Sequence, residues 1–262
     1  MKESIEMLKI QPEQMEVFKQ AAIKSFETNM VAHCNNFSPQ LCKVIGEEQL
    51  RIAIRQAIVK SQSYGFTNKG PVRLFVEMVL LFGSAFDTDP QYPWAAEILK
   101  SYHSDFQTQR AQQLYEKTLD YLEKVVGPKD IFTRQALERI SVLARQQPSF
   151  SQKNFTTDML NKTTYIYPEK AAFIGDSALE LLIQEAVNEA TTNSMIETHR
   201  MALFYVLMFA FGHGCTNDPL YPWIARTLRD EKIVGPMARS KRLEKKALTW
   251  LDHVIAAFSK GA

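Results

Sequence analysis

The sequence predicts an all-α protein built as two tandem helical-bundle repeats of about 130 residues, related by an approximate internal two-fold axis. Three observations predict it. First, Phe82-Gly83-Ser84-Ala85-Phe86-Asp87-Thr88-Asp89-Pro90-Gln91-Tyr92-Pro93-Trp94 returns 129 positions later as Phe211-Gly212-His213-Gly214-Cys215-Thr216-Asn217-Asp218-Pro219-Leu220-Tyr221-Pro222-Trp223. Second, the same offset, without a gap, pairs Phe26 with Phe155, Pro39 with Pro168, Gly46 with Gly175, Leu50 with Leu179 and Ala57 with Ala186. It also pairs Leu74 with Leu203, Leu99 with Leu228, Arg110 with Arg239, Leu119 with Leu248 and Val125 with Val254. Third, apolar residues recur at helical spacing, glycine is scarce, and almost no stretch alternates apolar and polar residues. The repeat divides the chain into 1–128 and 129–262. A feature that the fold requires should then occur twice, and one present in a single copy is where function has room to specialise.

The elements follow in order. Leu50, Ile54, Ala57 and Ile58 fall on one helical face, as do Leu179, Ile183, Ala186 and Val187. Gly46 and Gly175 precede these helices, and Glu47, Glu48 and Asp176 suit their positive N-terminal ends. Val72–Phe82 and Met201–Phe211 are apolar almost all round, which predicts an enclosed central helix in each repeat. Gly83 and Gly212 are expected to end them in a left-handed conformation. In the repeated Asp-Pro-x-Tyr-Pro-Trp segment, Asp89 and Asp218 are candidate helix caps, and Pro93 and Pro222 suit a first helical turn. Trp94 and Trp223 then open short helices running to Leu99 and Leu228. The last helix of the first copy should bury Tyr115, Thr118, Leu119, Leu122 and Val126. Its twin should bury Ala247, Leu248, Leu251 and Ile255. Gly127-Pro128-Lys129-Asp130 reads as a short turn joining the copies.

Composition narrows the function classes. An apolar fraction of 45% fits a globular chain and argues against disorder. A formal net charge of +2 gives no field that would imply nucleic acid. Cys34, Cys42 and Cys215 are too few for a disulfide framework and suit a reducing cytoplasm. The N-terminus has no apolar core of signal-peptide type, and the longest apolar run, Met201 to Gly212, is too short to span a bilayer. The expectation is a cytoplasmic protein without a membrane span.

No constellation of catalytic residues emerges. His213 and Cys215 resemble a base and a nucleophile, but they stand two residues apart with no third group to orient them. A histidine at a helix end more often serves the last-turn carbonyls. Asp87, Thr88 and Asp89 are too few oxygen ligands for a cation, and His33, His103, His199 and His253 lack metal-ligand spacing. Phosphate-binding glycine loops and the common hydrolase and zinc motifs are absent. The sequence therefore predicts no enzyme, no metal and no cofactor.

The repeated corner, Gly83, Asp89, Pro90, Tyr92, Pro93 and Trp94 with Gly212, Asp218, Pro219, Tyr221, Pro222 and Trp223, reads as a structural motif because both copies keep it. Its aromatic residues also suit a recognition loop. Partner contacts are better sought where the copies differ and the residue is aromatic or basic: Tyr64, Tyr102, Arg226, Arg229 and Arg242. The last three belong to a basic tract running to Lys246, which suits a solvated helix face or an acidic protein partner. The cleft between the copies is the expected pocket.

Gly46-x-x-x-Leu50, Ala57, Tyr64-Gly65-Phe66, an apolar helix, Phe82-Gly83, Phe86-Asp87, Asp89-Pro90, Pro93-Trp94 and Leu99 form a block in the first copy. The block resembles a family of all-helical bacterial proteins encoded in type VI secretion gene clusters, near spike proteins and toxins. The second copy departs from it, with Asn193-Ser194-Met195 for Tyr-Gly-Phe and Cys215-Thr216 for Phe-Asp. The resemblance implies a cytoplasmic, non-catalytic protein-binding module, a chaperone or adaptor that keeps a secreted toxin loadable or links it to a spike component. The alternative is an immunity protein that binds and inhibits a cognate toxin. The slightly basic balance does not favour an inhibitor of a nuclease.

Overall fold

The computed structural model describes residues 11–101, 106–146 and 150–260, and among these the chain is helical with no strand. Prolines start many of the helices, because a first-turn residue needs no amide donor and the ring presets its φ. Thus α1 (Pro12–Phe37) and α2 (Pro39–Ile45) both open on proline. They lead through Gly46 into α3 (Glu47–Ser63) and on to α4 (Lys69–Phe82). The corner follows, then α5 (Pro93–Lys100) and α6 (Gln107–Tyr121). The end of α6 widens into a π turn over Leu122–Val126, where the Gly127 amide donates to the Leu122 carbonyl.

A single 3-10 turn, Pro128–Asp130, joins this half to α7 (Ile131–Gln146). A Cβ on Gly127 would lie 2.5 Å from the Phe132 ring, so the tight join needs glycine there. The order then runs α8 (Phe155–Ile166), α9 (Pro168–Ile174), α10 (Asp176–Thr192), α11 (Thr198–Phe211), α12 (Pro222–Leu228) and α13 (Pro236–Lys260).

The core is built around α4 and α11. Phe75, Val76 and Met78 on α4, and Phe204, Tyr205, Leu207 and Met208 on α11, are buried. Each helix packs on its predecessor, α3 on α4 and α10 on α11, through the apolar faces of Leu50, Ile54, Leu179 and Ile183. The enclosure of α4 is incomplete, since Leu81 is 40% exposed.

Two features differ from the sequence expectation. The buried row of α6 is Leu114, Thr118, Tyr121 and Val125, whereas Tyr115 and Leu119 are nearly half exposed. Both rows recur at helical spacing, and only the body beneath the helix decides which one is covered. In addition, α1 is one long helix, while the stretch that matches it in the second half is split between α7 and α8. Pro148 accounts for the split: a helix ends at or before the residue preceding a proline, and α7 ends at Gln146. The matching position in the first half is Lys19, so the helix runs through.

Candidate functional site

The repeated corner is where the two halves lock together. Gly83 has φ 93° and ψ 161°, and Gly212 has φ 91° and ψ 153°. These are not the left-handed helical caps expected, because ψ is extended, a region open essentially to glycine alone. The cause is close approach. A Cβ on Gly83 would lie 2.7 Å from the Phe211 carbonyl oxygen, and one on Gly212 would lie 2.8 Å from that of Phe82.

Nor do Asp89 and Asp218 cap the helices that follow, whose N-cap positions are Tyr92 and Tyr221. Each carboxylate instead binds an amide at home with one oxygen and an amide across the joint with the other. Asp89 Oδ1 accepts from the Gln91 amide and Oδ2 from the His213 amide, at 2.8 and 2.7 Å. Asp218 Oδ1 accepts from the Leu220 amide and Oδ2 from the Ser84 amide, again at 2.8 and 2.7 Å. Both side chains are buried, and desolvation raises both carboxyls above the usual range while these amides pull them back.

The tryptophans sit alike. Trp94 packs edge-on to Phe82 at 5.9 Å, and Trp223 edge-on to Phe211 at 6.1 Å. Tyr92 and Tyr221 lie 4.6 and 4.4 Å from the same two rings. Pro90 and Pro219 hold the turns between Asp and Tyr. The junction that the sequence marked as a pocket is therefore filled by backbone and carboxylates, and a Cβ on Gly214 would meet that of Ala85 at 2.6 Å.

The residues that differ between the corners are held within the fold. His213 Nδ1 lies 2.8 Å from Glu185 Oε2, and Nε2 lies 3.0 Å from Thr88 Oγ1 and 3.2 Å from the Ala85 carbonyl. Burial depresses the imidazole, but Glu185, Asp89 and the Ala85 carbonyl outweigh it and hold the group above its ordinary value. Cys215 is fully buried, and desolvation pushes its thiol up, away from the thiolate a nucleophile needs.

Of the five partner candidates, Tyr64 is used inside the fold. Its hydroxyl donates to Asp87 Oδ2 at 2.7 Å, and Lys60 Nζ pairs with the other oxygen at 2.6 Å. Arg226 and Arg242 are exposed on α12 and α13. Arg229, at the end of α12, is exposed and bonds the Asn217 side chain. Tyr102 lies outside the described residues.

Sequence reasoning missed two features. One is Lys170, buried where the matching residue is Leu41. Its ammonium donates to the Phe209 carbonyl at 2.6 Å, near the end of α11, and lies 4.2 Å from the Phe209 ring centroid. Burial pushes its pKa down to about 8, against the pull of Asp89. A charge at an otherwise apolar repeat position was the available signal.

The other is the surface of α1. Two open grooves of about 440 Å³ flank this helix. One, against α3, is lined by Gln20, Ile23, Lys24, Glu27 and Arg55. Its polar wall is an ion-pair cluster in which Glu27 meets Arg55 at 2.8 Å and Arg51 at 3.0 Å. Arg55 holds the Glu27 carboxyl below the usual carboxylate range against the effect of burial, with help from Arg51.

The other groove, against α4, has Phe26 and Met30 with a rim of Lys69, Arg73 and His33. His33 Nε2 and Arg73 Nε both reach Glu77 Oε1, at 2.6 and 2.9 Å. The apolar members match Phe155 and Met159 in the second half, but Lys69, Arg73 and Glu77 match Thr198, Ala202 and Val206. That contrast was readable from the offset.

Among the described residues no group of three His, Cys, Asp or Glu side chains gathers to hold a metal ion. No helix among them is long and apolar enough to cross a membrane. No protein-family model matches the chain, and no curated protein or solved structure matches it either.

Proposed function

We propose that this chain is a non-catalytic protein-binding module, a cytoplasmic chaperone or adaptor for a secreted toxin of a type VI secretion system. Its scaffold is two tandem repeats, 1–128 and 129–262, clasped about an approximate two-fold axis. The reciprocal bonds of Asp89 and Asp218 and the like settings of Trp94 and Trp223 support that scaffold.

The groove between α1 and α4 is the observation that carries the function. A small-molecule site encloses most of its ligand, whereas this trough is open along a helix and suits a segment of another protein. Phe26 offers apolar contact, and Lys69, Arg73 and His33 favour an acidic flank. Of that rim, Lys69 and Arg73 match the uncharged Thr198 and Ala202 in the other half, while His33 matches Lys162.

Co-expression with a toxin encoded beside it tests the reading. The expected result is a co-purifying complex that Lys69→Glu with Arg73→Glu disrupts without lowering the melting temperature. A toxin equally soluble and deliverable without this chain refutes it. Rescue of toxin-expressing cells by this chain alone would mark an immunity protein instead.

A further inference from the structure

The charge of this chain is not spread evenly. Residues 226–246 hold eight lysines and arginines against three acids, a net +5, so with +2 overall the rest of the chain nets −3. The matching stretch, 97–117, holds three of each sign. On α13 the excess collects on the solvent side, where Lys241, Arg242 and Lys245 are exposed while Leu243 is buried. Neither these three nor Lys232 forms an ion pair with a described residue, whereas Arg51, Arg55 and Arg73 around α1 are all paired. Of the three acids in the stretch, Asp230 and Glu244 are partly buried and Glu231 is exposed.

An apolar tip stands at the head of this face. Val234, in the loop from α12 to α13, is 84% exposed, more than any other large apolar side chain described, and Met237 in the first turn of α13 is 56% exposed. Met237, Lys241 and Lys245 follow at i, i+4 and i+8, so they share one side of the helix. The loop is held in place. Asp230 Oδ1 accepts from the Lys232 amide at 3.0 Å, the Ile233 amide donates to the Asp230 carbonyl at 3.1 Å, and Arg239 Nε donates to the Ile233 carbonyl at 3.2 Å. The first half has no such device: Val234 and Met237 match Asp105 and Thr108, and Lys241, Arg242 and Lys245 match Gln112, Gln113 and Glu116.

Unpaired cations beside protruding apolar side chains suit the surface of an anionic bilayer. A protein partner is anchored in pockets, and the two grooves described above lie along α1 rather than here. Nucleic acid calls for rings on which bases stack, and residues 226–246 contain no aromatic side chain. We propose that this face docks the protein on an anionic lipid bilayer, with Val234 and Met237 entering the headgroup layer while Lys232, Lys241, Arg242 and Lys245 meet the lipid phosphates. The contact is peripheral and needs no membrane span. It rests on the second half alone and not on the toxin.

Co-sedimentation of the purified full chain with vesicles, with no toxin present, tests the proposal. The vesicles are phosphatidylcholine alone, or with about one-third phosphatidylglycerol. The expected result is binding to the anionic vesicles only, lost between about 0.1 and 0.5 M salt. Lys241→Glu with Lys245→Glu should weaken it by roughly 100-fold or more, since each cation near the surface is worth about fivefold and reversal adds repulsion. Val234→Ser should weaken it by roughly tenfold, through lost apolar burial. These side chains are exposed, so the melting temperature should not change. No binding at about 1 mM anionic lipid overturns the proposal, as does equal binding to neutral vesicles. So does binding that survives either variant. Capture by an oligoglutamate peptide or single-stranded DNA, without capture by vesicles, would reassign the face to an acidic protein or nucleic acid and overturn it too. A failed toxin complex with intact vesicle binding counts against the proposed function alone.

Discussion

Replacing Gly83 by alanine strikes the joint at its tightest point. The new Cβ carries two separate costs. At φ 93° with ψ 161° an alanine occupies a region that L-residues avoid, worth about 1–3 kcal/mol. The methyl group would also lie 2.7 Å from the Phe211 carbonyl oxygen and 3.3 Å from Asp218 Oδ2, so the backbones must part. Parting them stretches the bond from the Ser84 amide to Asp218, a charged acceptor worth about 1.5–3 kcal/mol. Together the loss comes to about 3–5 kcal/mol, a large share of a stability of about 5–15 kcal/mol. In a chain of this size that corresponds to a fall in melting temperature of roughly 10 °C. Gly212→Ala should cost the same within about 1 kcal/mol, because it meets the Phe82 carbonyl at 2.8 Å and the Asp89 carboxylate at 3.4 Å. The controls are Gly46→Ala and Gly175→Ala, which have φ of 78° and 82° but no atom within 4 Å of the added Cβ. They carry the backbone cost alone. Urea unfolding of the four variants separates clash from strain, and Gly83→Ala no worse than Gly46→Ala would refute the close approach.

Two further predictions concern the same corner. Trp94→Ala and Trp223→Ala should each cost about 1.5–3 kcal/mol, below the figure for a fully buried tryptophan because both rings are only partly buried. Thermal unfolding measures this, and a variant that kept its melting temperature while losing a bound partner would make the corner a recognition loop. His213 should give stability a pH dependence: its folded pKa lies above the unfolded value near 6.5, so its contribution is full below that pH and lost as pH rises through the folded pKa. Comparing urea midpoints at about pH 6 and 8, His213→Gln should lose more stability at the lower pH, and an equal loss at both would refute the assignment.

Much of the fold was legible because α4 and α11 are apolar on nearly every side, and such segments have no alternative to burial as helices. The face of α6 was not legible. Of the expected row Tyr115, Thr118, Leu119, Leu122 and Val126, Thr118 is buried but Tyr115 and Leu119 are not, and sequence spacing alone carries no sign that Leu114, Tyr121 and Val125 meet the body. The break between α7 and α8 was readable from Pro148, but the gapless offset drew attention to matches and away from the proline that has none. The roles of Asp89 and Asp218 lay beyond local reasoning. An Asp-Pro beside a helix start suggests a cap, yet one of the two amides that each carboxylate binds is more than a hundred residues away in the chain. The charged rim along α1 stood in the sequence as mismatched pairs, Arg73 against Ala202 and Glu77 against Val206, which become a site only once α1 and α4 are side by side.

The exchange at the joint also explains where difference between the halves is tolerated. Neither corner is complete alone, since the Ser84 amide needs Asp218 and the His213 amide needs Asp89. A change at Gly83, Asp89, Gly212 or Asp218 therefore damages both halves at once, and those positions match. Further from the joint that coupling is gone. The surface of α1 shares no hydrogen bond with the corner, so Glu27, Arg55, Arg73 and Glu77 face Thr156, Gln184, Ala202 and Val206 in the matching half without disturbing it. The partner surface proposed on α1 therefore lies on the part of the molecule that the joint leaves unconstrained.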